Sequence, residues 1–152
     1  MEKFVFYDLE TTGISPAFDQ PLQFAAIVTD LELTEIERVD IRCQLSPHIL
    51  PSPKALAVTG VRPSQLENNN LPSAFEFAQT IQKFTEQWAP AIWIGYNSIA
   101  FDEAMLRQMF YQNLQPNIFA TQFHDNTRLD VMKMIFAVHA EAPEILKWPL
   151  ND

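Results

Sequence analysis

Two carboxylates, Asp8 and Glu10, stand two residues apart where the apolar run Phe4 to Tyr7 ends. Side chains alternate across a strand, so residues i and i+2 share a face. Asp8 and Glu10 therefore project together from the strand's C-terminal edge, where α/β proteins place their sites. Neighbouring carboxylates repel, and a hard divalent cation relieves that repulsion. Chance is the competing account: with Asp and Glu at about 6% each, an Asp-x-Glu arises in roughly every other chain of this size. A second copy, Asp30-Leu31-Glu32, lies among polar residues and reads as a solvated turn. The first copy differs in context, because it ends a buried strand and precedes Thr11-Thr12-Gly13. On these residues alone, a metal site and a solvated acidic pair both stay open.

A second chemical stretch, Gly95-Tyr96-Asn97-Ser98-Ile99-Ala100-Phe101-Asp102, leaves one strand and enters a helix. Asp102 falls near the helix N-terminus, where the dipole favours a carboxylate. Plain N-capping accounts for a lone Asp there, and a turn accounts for Asn97. If the strand before it lies beside the first strand, Asp102 comes to rest next to Asp8 and Glu10.

These residues need a scaffold, and the hydrophobic pattern supplies one. Phe4 to Tyr7 reads as a strand buried on both faces. Leu22 to Thr29 and Ile36 to Leu45 read as two more strands, with Asp30 to Thr34 as the turn between them; the three form an antiparallel meander. Short helical pieces follow at Pro53–Val58 and Pro63–Glu67. Ser73 to Trp88 is an amphipathic helix, with Phe77, Ile81, Phe84 and Trp88 on one face. Ala91 to Ile94 is a fourth strand. Phe101 to Tyr111 and Leu129 to Ala140 are helices, and Pro143 and Pro149 follow. The order of three strands, helix, strand, helix, helix predicts an α/β fold with a mixed sheet.

Composition sets the bounds. The 152 residues are 47% hydrophobic and 19% charged, enough for one domain with a real core. No apolar run approaches the roughly 18 residues of a membrane helix, and no signal peptide is visible. The single cysteine, Cys43, excludes an intramolecular disulfide; it reads as core. A reducing compartment, the cytoplasm, is expected. The net charge of −9 argues against a basic module that grips phosphates, and is compatible with cation recruitment.

Phe6-Tyr7-Asp8-Leu9-Glu10-Thr11-Thr12-Gly13 resembles the first motif of the DEDD 3′→5′ exonucleases, and Asn97-x-x-x-Phe101-Asp102 resembles their second. Narrower stretches resemble the bacterial exodeoxyribonuclease I family: Pro21-Leu22-Gln23-Phe24-Ala25-Ala26-Ile27, Thr59-Gly60-Val61, His124 to Asp130, and Trp148-Pro149. The likeness runs in order along the whole chain. It implies a ribonuclease H-like fold: three antiparallel strands, a parallel fourth, and flanking helices. It also implies release of 5′-mononucleotides from the 3′ end of single-stranded DNA. In such enzymes four carboxylates hold two Mg²⁺ ions, with Mn²⁺ as a substitute, and a histidine is the general base. Asp8, Glu10 and Asp102 match three of those carboxylates. Leu9 and Thr11 would face the terminal nucleotide, together with Asn97. Arg107 would meet a DNA phosphate, its alternative being a solvated helix charge. A single-stranded-DNA-binding protein is an implied partner, through regions outside this chain.

One departure matters. The third motif, His-x-x-x-x-Asp, supplies the base and the fourth carboxylate, and the chain stops before its expected place. It therefore reads as the N-terminal portion of one exonuclease domain, truncated on its C-terminal side, impaired in catalysis, and with an apolar face left uncovered. His139 to Glu144 has similar spacing but comes too early, and Pro143 would break the helix presenting it. Asp130 reads as a helix start, His124 as structural or near the DNA, and His48 as surface. Trp88 and Trp93 read as core, while Tyr96 could stack on a base. Alternatives are an RNA-directed relative and a non-catalytic remnant that binds nucleic acid or a protein.

Overall fold

The computed structural model describes residues 2–66, 68 and 70–146. Glu67 and the Trp148-Pro149 pair lie outside the described residues. β1 (Lys3–Thr11), β2 (Pro21–Thr29) and β3 (Glu35–Arg42) form the expected antiparallel meander. Two short helices, α1 (Pro53–Thr59) and α2 (Pro63–Leu66), lead to α3 (Ala74–Gln87). Next come β4 (Ala91–Gly95), α4 (Asp102–Gln112), a 3₁₀ turn at Ala120–Gln122, β5 (Thr127–Asp130) and α5 (Val131–Glu141). The sheet order is β3-β2-β1-β4-β5, with β4 parallel to β1 and β5 parallel to β4.

The fifth strand corrects the expectation of four strands and of a helix from Leu129. Thr127-Arg128-Leu129-Asp130 holds one apolar residue in four, so it carries no strand pattern of its own. Pairing makes it a strand: Ile92 opposes Thr127 and Gly95 opposes Asp130. Asn126 ties its start to the sheet, accepting from the Ala91 amide at 3.0 Å and donating to the Thr85 carbonyl at 2.9 Å. The helix begins only at Val131, where Asp130 accepts from the Met132 amide as its cap.

β1 is also not buried on both faces. Val5, Tyr7, Leu9 and Thr11 are buried on the side where α3 and α4 pack, while Phe6 is 36% exposed on the other. The register puts Phe6 with Ile27, and Asp8 with Ala25, on that open side. Met134, Phe136 and Val138 of α5 are also substantially exposed.

The core lies between the sheet and the helices α3 and α4. Phe24, Trp88 and Trp93 are almost wholly buried, and Phe77, Ile81, Met105, Leu106 and Phe110 close over them. Trp88 and Trp93 are thus packing residues, and the Trp88 indole donates to Glu37 at 2.9 Å. Ser73 and Glu76 make a reciprocal capping box at the start of α3. Cys43 is buried beside Gln20, and burial pushes its thiol up to about 11.

β4 delivers the chain to the second motif through a crowded corner. A Cβ on Gly95 would lie 2.5 Å from the Ser98 Cβ and 3.3 Å from the Tyr7 carbonyl oxygen. Gly95→Ala is therefore expected to destabilise the fold by about 1–3 kcal/mol, as overpacking does. Urea denaturation of the two proteins measures this; equal midpoints would mean the corner is not close-packed.

Candidate metal and nucleic-acid site

Asp8 and Glu10 stand on the open face of β1, as alternation requires: Asp8 is exposed and Glu10 half-buried, while Tyr7 and Leu9 between and beside them point into the core. The register with β2 shifts between Glu10 and Thr11, an irregularity of the kind that re-aims side chains beside active sites. Asp102 arrives from α4. Its Oδ1 accepts the Leu9 amide at 3.1 Å, so the carboxylate sits against the strand residue flanked by Asp8 and Glu10. It is not the N-cap of α4, a place Phe101 takes. Its carboxylate is shared between the Leu9 amide of β1 and its own backbone amide.

Electrostatics bind the three together. Burial, then the charge of Asp8, push Asp102 up to about 7, against the pull of its own amide and the Leu9 amide. Burial and Asp8 also raise Glu10, while Arg42 draws it down. Asp8 thus disfavours ionisation on both sides of itself. Among the described residues, no three His, Cys, Asp or Glu side chains are gathered into a ready cage for a metal. The donor chemistry nevertheless fits a hard divalent cation: the Asp8 charge raises both Asp102 and Glu10, and a cation would offset that repulsion. The second Asp-x-Glu behaves as a turn, with Asp30 accepting from the amides of Glu32 and Thr34.

Beside Glu10 lies a cleft of about 450 Å³, lined by Leu9, Glu10, Thr11, Ile14, Lys54 and Phe101 among others. Its rim is apolar and exposed at Ile14 and Val58. The loop forming one wall is held from within. Asp19 accepts the Thr12 hydroxyl at 3.0 Å and the Ser15 amide at 2.9 Å, and a Cβ on Gly13 would fall 2.4 Å from its carboxylate oxygens. Thr11 spends its hydroxyl on the Gly13 carbonyl at 2.6 Å. The Thr-Thr-Gly sequence is thus the wall's own wiring.

Other named residues separate. Asn97 is half-buried in a left-handed turn, φ 58°, its amide bonded to Asp130 at 3.0 Å. Asp130 is 3% exposed and also accepts from Ile99 at 3.3 Å, so it anchors the second motif's turn. Arg107 is exposed, with its guanidinium carbon 5.5 Å from the Phe119 ring centroid; the three carboxylates have other neighbours. His124 lies 3.9 Å from Glu86 on the surface, and His48 is exposed. His139 points its Nδ1 to the Leu146 carbonyl at 2.8 Å, and α5 ends at Glu141, before Glu144. Tyr96 is 56% exposed beside this region. Glu103 was missed from sequence. It is buried directly after Asp102, and its spacing to Leu106 and Phe110 was the available signal.

A five-stranded mixed sheet with paired carboxylates at the end of its central strand defines a nuclease-like class. The chain belongs to the exonuclease family RNase_T, which matches residues 5–149. Exodeoxyribonuclease I of Escherichia coli (strain K12) is 36% identical over 151 residues, covering 98% of this chain and 31% of that protein. The zinc-bound E. coli ExoI–ssDNA complex superimposes with a TM-score of 0.88 at 34% identity, covering 99% of this chain and 32% of that one. An ExoI/SSB-Ct complex gives 0.87 at 35% identity, covering 100% and 33%. This chain thus spans about a third of the length of these relatives, and its fold is ribonuclease H-like, as these structures are.

The raised Asp102 has a consequence for the metal-free protein. A carboxyl whose folded pKa exceeds its unfolded value contributes stability in full below the unfolded value of 3.8, and loses it as pH rises through about 7. Asp102→Asn keeps an acceptor for the Leu9 amide and removes the ionisation. Between those pH values, wild type is expected to lose up to about 4 kcal/mol relative to the variant in urea denaturation. Parallel stability profiles would contradict the assigned burial.

Proposed function

We propose that these residues form the metal- and 3′-end-binding part of a 3′→5′ exonuclease that acts on single-stranded DNA and releases 5′-mononucleotides. The observation that carries this reading is the Asp102 carboxylate on the Leu9 amide, between Asp8 and Glu10. Asp8, Glu10 and Asp102 would hold Mg²⁺, or Mn²⁺ in its place, at the strand end. A bound divalent cation lowers the pKa of an attacking water and steadies the leaving 3′ oxygen, a task two metals divide in such enzymes. The cleft beside Glu10 would take the terminal nucleotide, its apolar rim against the base and Lys54 near a phosphate. Leu9 and Thr11 shape that cleft rather than reach far into it. Asn97 sets the turn that delivers Asp102, and Arg107 offers an exposed cation to the strand's backbone.

Support also comes from the relatives: one is bound to single-stranded DNA and zinc, and one to an SSB C-terminus. We extend both partners to this protein, the second through regions beyond these residues. The acidic surface agrees with a chain whose DNA contact is made by a small site rather than by a broad basic face. The third motif, His-x-x-x-x-Asp, does not occur in the 152 residues. Loss of a general base costs roughly 10² to 10⁴-fold in rate. These residues alone are therefore expected to cleave weakly or not at all.

Asp8→Ala provides the test. Mn²⁺ should bind wild type and not the variant, and should strengthen wild-type binding of a single-stranded oligonucleotide with a free 3′ hydroxyl. Any cleavage ladder should start at that end. Mn²⁺ binding unaffected by Asp8→Ala would remove the metal site, and tighter binding of RNA would redirect the substrate.

A further inference from the structure

Glu103 is a second carboxylate behind Asp102, and the metal site as described gives it no task. It is 6% exposed. The Tyr7 hydroxyl donates to its Oε1 at 3.0 Å, and the Thr121 hydroxyl lies 2.7 Å from each of its oxygens. The Arg128 Nη1 stands 3.8 Å from Oε2. Its own amide donates to the Ser98 carbonyl at 2.8 Å. A buried carboxylate without partners is strongly unfavourable. Here β1, the 3₁₀ turn and β5 each send a group to it.

The geometry of the β1 contacts gives this cluster its meaning. Tyr7 and Leu9 flank Asp8 and both face the helices. The Tyr7 hydroxyl holds Glu103, and the Leu9 amide holds Asp102. Two consecutive residues of α4's first turn are therefore tied to two alternate residues of β1, with Asp8 between the ties. One tie would leave the helix start free to pivot about it; two fix its rotation as well as its distance. Thr121, from the 3₁₀ turn, completes the cluster.

We propose that Glu103 is a positioning residue of the metal site: through Tyr7 and Thr121 it locks the first turn of α4 so that Asp102 stays at the strand end beside Asp8. Glu103 itself touches neither cation nor nucleotide. The inference rests on the metal-binding reading above and deepens it. A merely structural Glu103 would support the fold without changing how tightly a cation is held. Groups behind metal ligands commonly change affinity by 10- to 100-fold when altered.

Mn²⁺ titration followed by electron paramagnetic resonance separates the two roles. The proteins are wild type, Glu103→Gln, Tyr7→Phe, Thr121→Val and Asp8→Ala, each with urea denaturation alongside. Glu103→Gln should weaken Mn²⁺ binding about tenfold in folded protein. Tyr7→Phe and Thr121→Val keep the carboxylate charge and remove one bond each, and should weaken it severalfold. Unchanged affinity in folded Glu103→Gln would overturn the proposal, however far its urea midpoint falls. So would a loss confined to Glu103→Gln, since charge rather than placement would then be responsible. If Glu103→Gln does not fold, the other two variants decide by the same criterion. No Asp8-dependent binding in wild type would sink the metal reading and this inference with it. Binding in wild type that the Glu103 cluster does not influence would sink this inference alone.

Discussion

β4 pairs with β1 in parallel, from Lys3 opposite Ala91 to Phe6 opposite Ile94, and the candidate site depends on that register. The pairing ends one residue before Tyr7. Gly95 then turns tightly past the Tyr7 carbonyl, and the following turn hands the chain to α4 at Asp102. A strand placed elsewhere in the sheet would carry Asp102 away from Asp8. A slip of one residue would turn the face of every β4 side chain and remove Trp93 from the core. The same Trp93, buried against Tyr7 and Phe24, makes that slip costly. Core packing and site assembly are therefore enforced by one pairing.

The two faces of β1 divide the labour. Val5, Tyr7 and Leu9 anchor the strand to the helices, while Asp8 and Glu10 emerge on the open side. The backbone amide of Leu9 and the hydroxyl of Tyr7 reach from β1 to the start of α4. Asp102 consequently sits deep enough for burial to raise its pKa, yet near enough to Asp8 to feel its charge. Three carboxylates in such a field are poorly satisfied by protein alone. A hard cation would relieve that imbalance.

Much of this was legible in the residues, for identifiable reasons. The long apolar runs and the 3.6-residue spacing of Phe77, Ile81 and Phe84 located the meander and α3, because each pattern spans several residues. Asp8, Glu10 and Asp102 stood out because their contexts, a strand end and a helix start, are written locally. β5 was not legible: Thr127 to Asp130 is short, with one apolar residue in four, and is held as a strand by Asn126 and β4. The open face of β1 was hidden too, since Phe4 to Tyr7 reads equally as a doubly buried strand. Arg107 is exposed as its charge suggests, and its place over the Phe119 ring is a long-range contact that its local sequence does not carry. The spacing of Glu103 to Leu106 and Phe110 signals its burial, but its partners, Tyr7 and Thr121, come from distant parts of the chain and are not written locally.

The central claim is that Asp102 shares one electrostatic field with Asp8 and that a cation relieves it. A carbon-detected NMR titration of the aspartate side chains, with and without Mg²⁺, measures this directly. Without metal, Asp102 should titrate near about 7, far above the usual carboxylate range, and Mg²⁺ should drive it down. An ordinary carboxylate value that Mg²⁺ leaves unmoved would contradict the account.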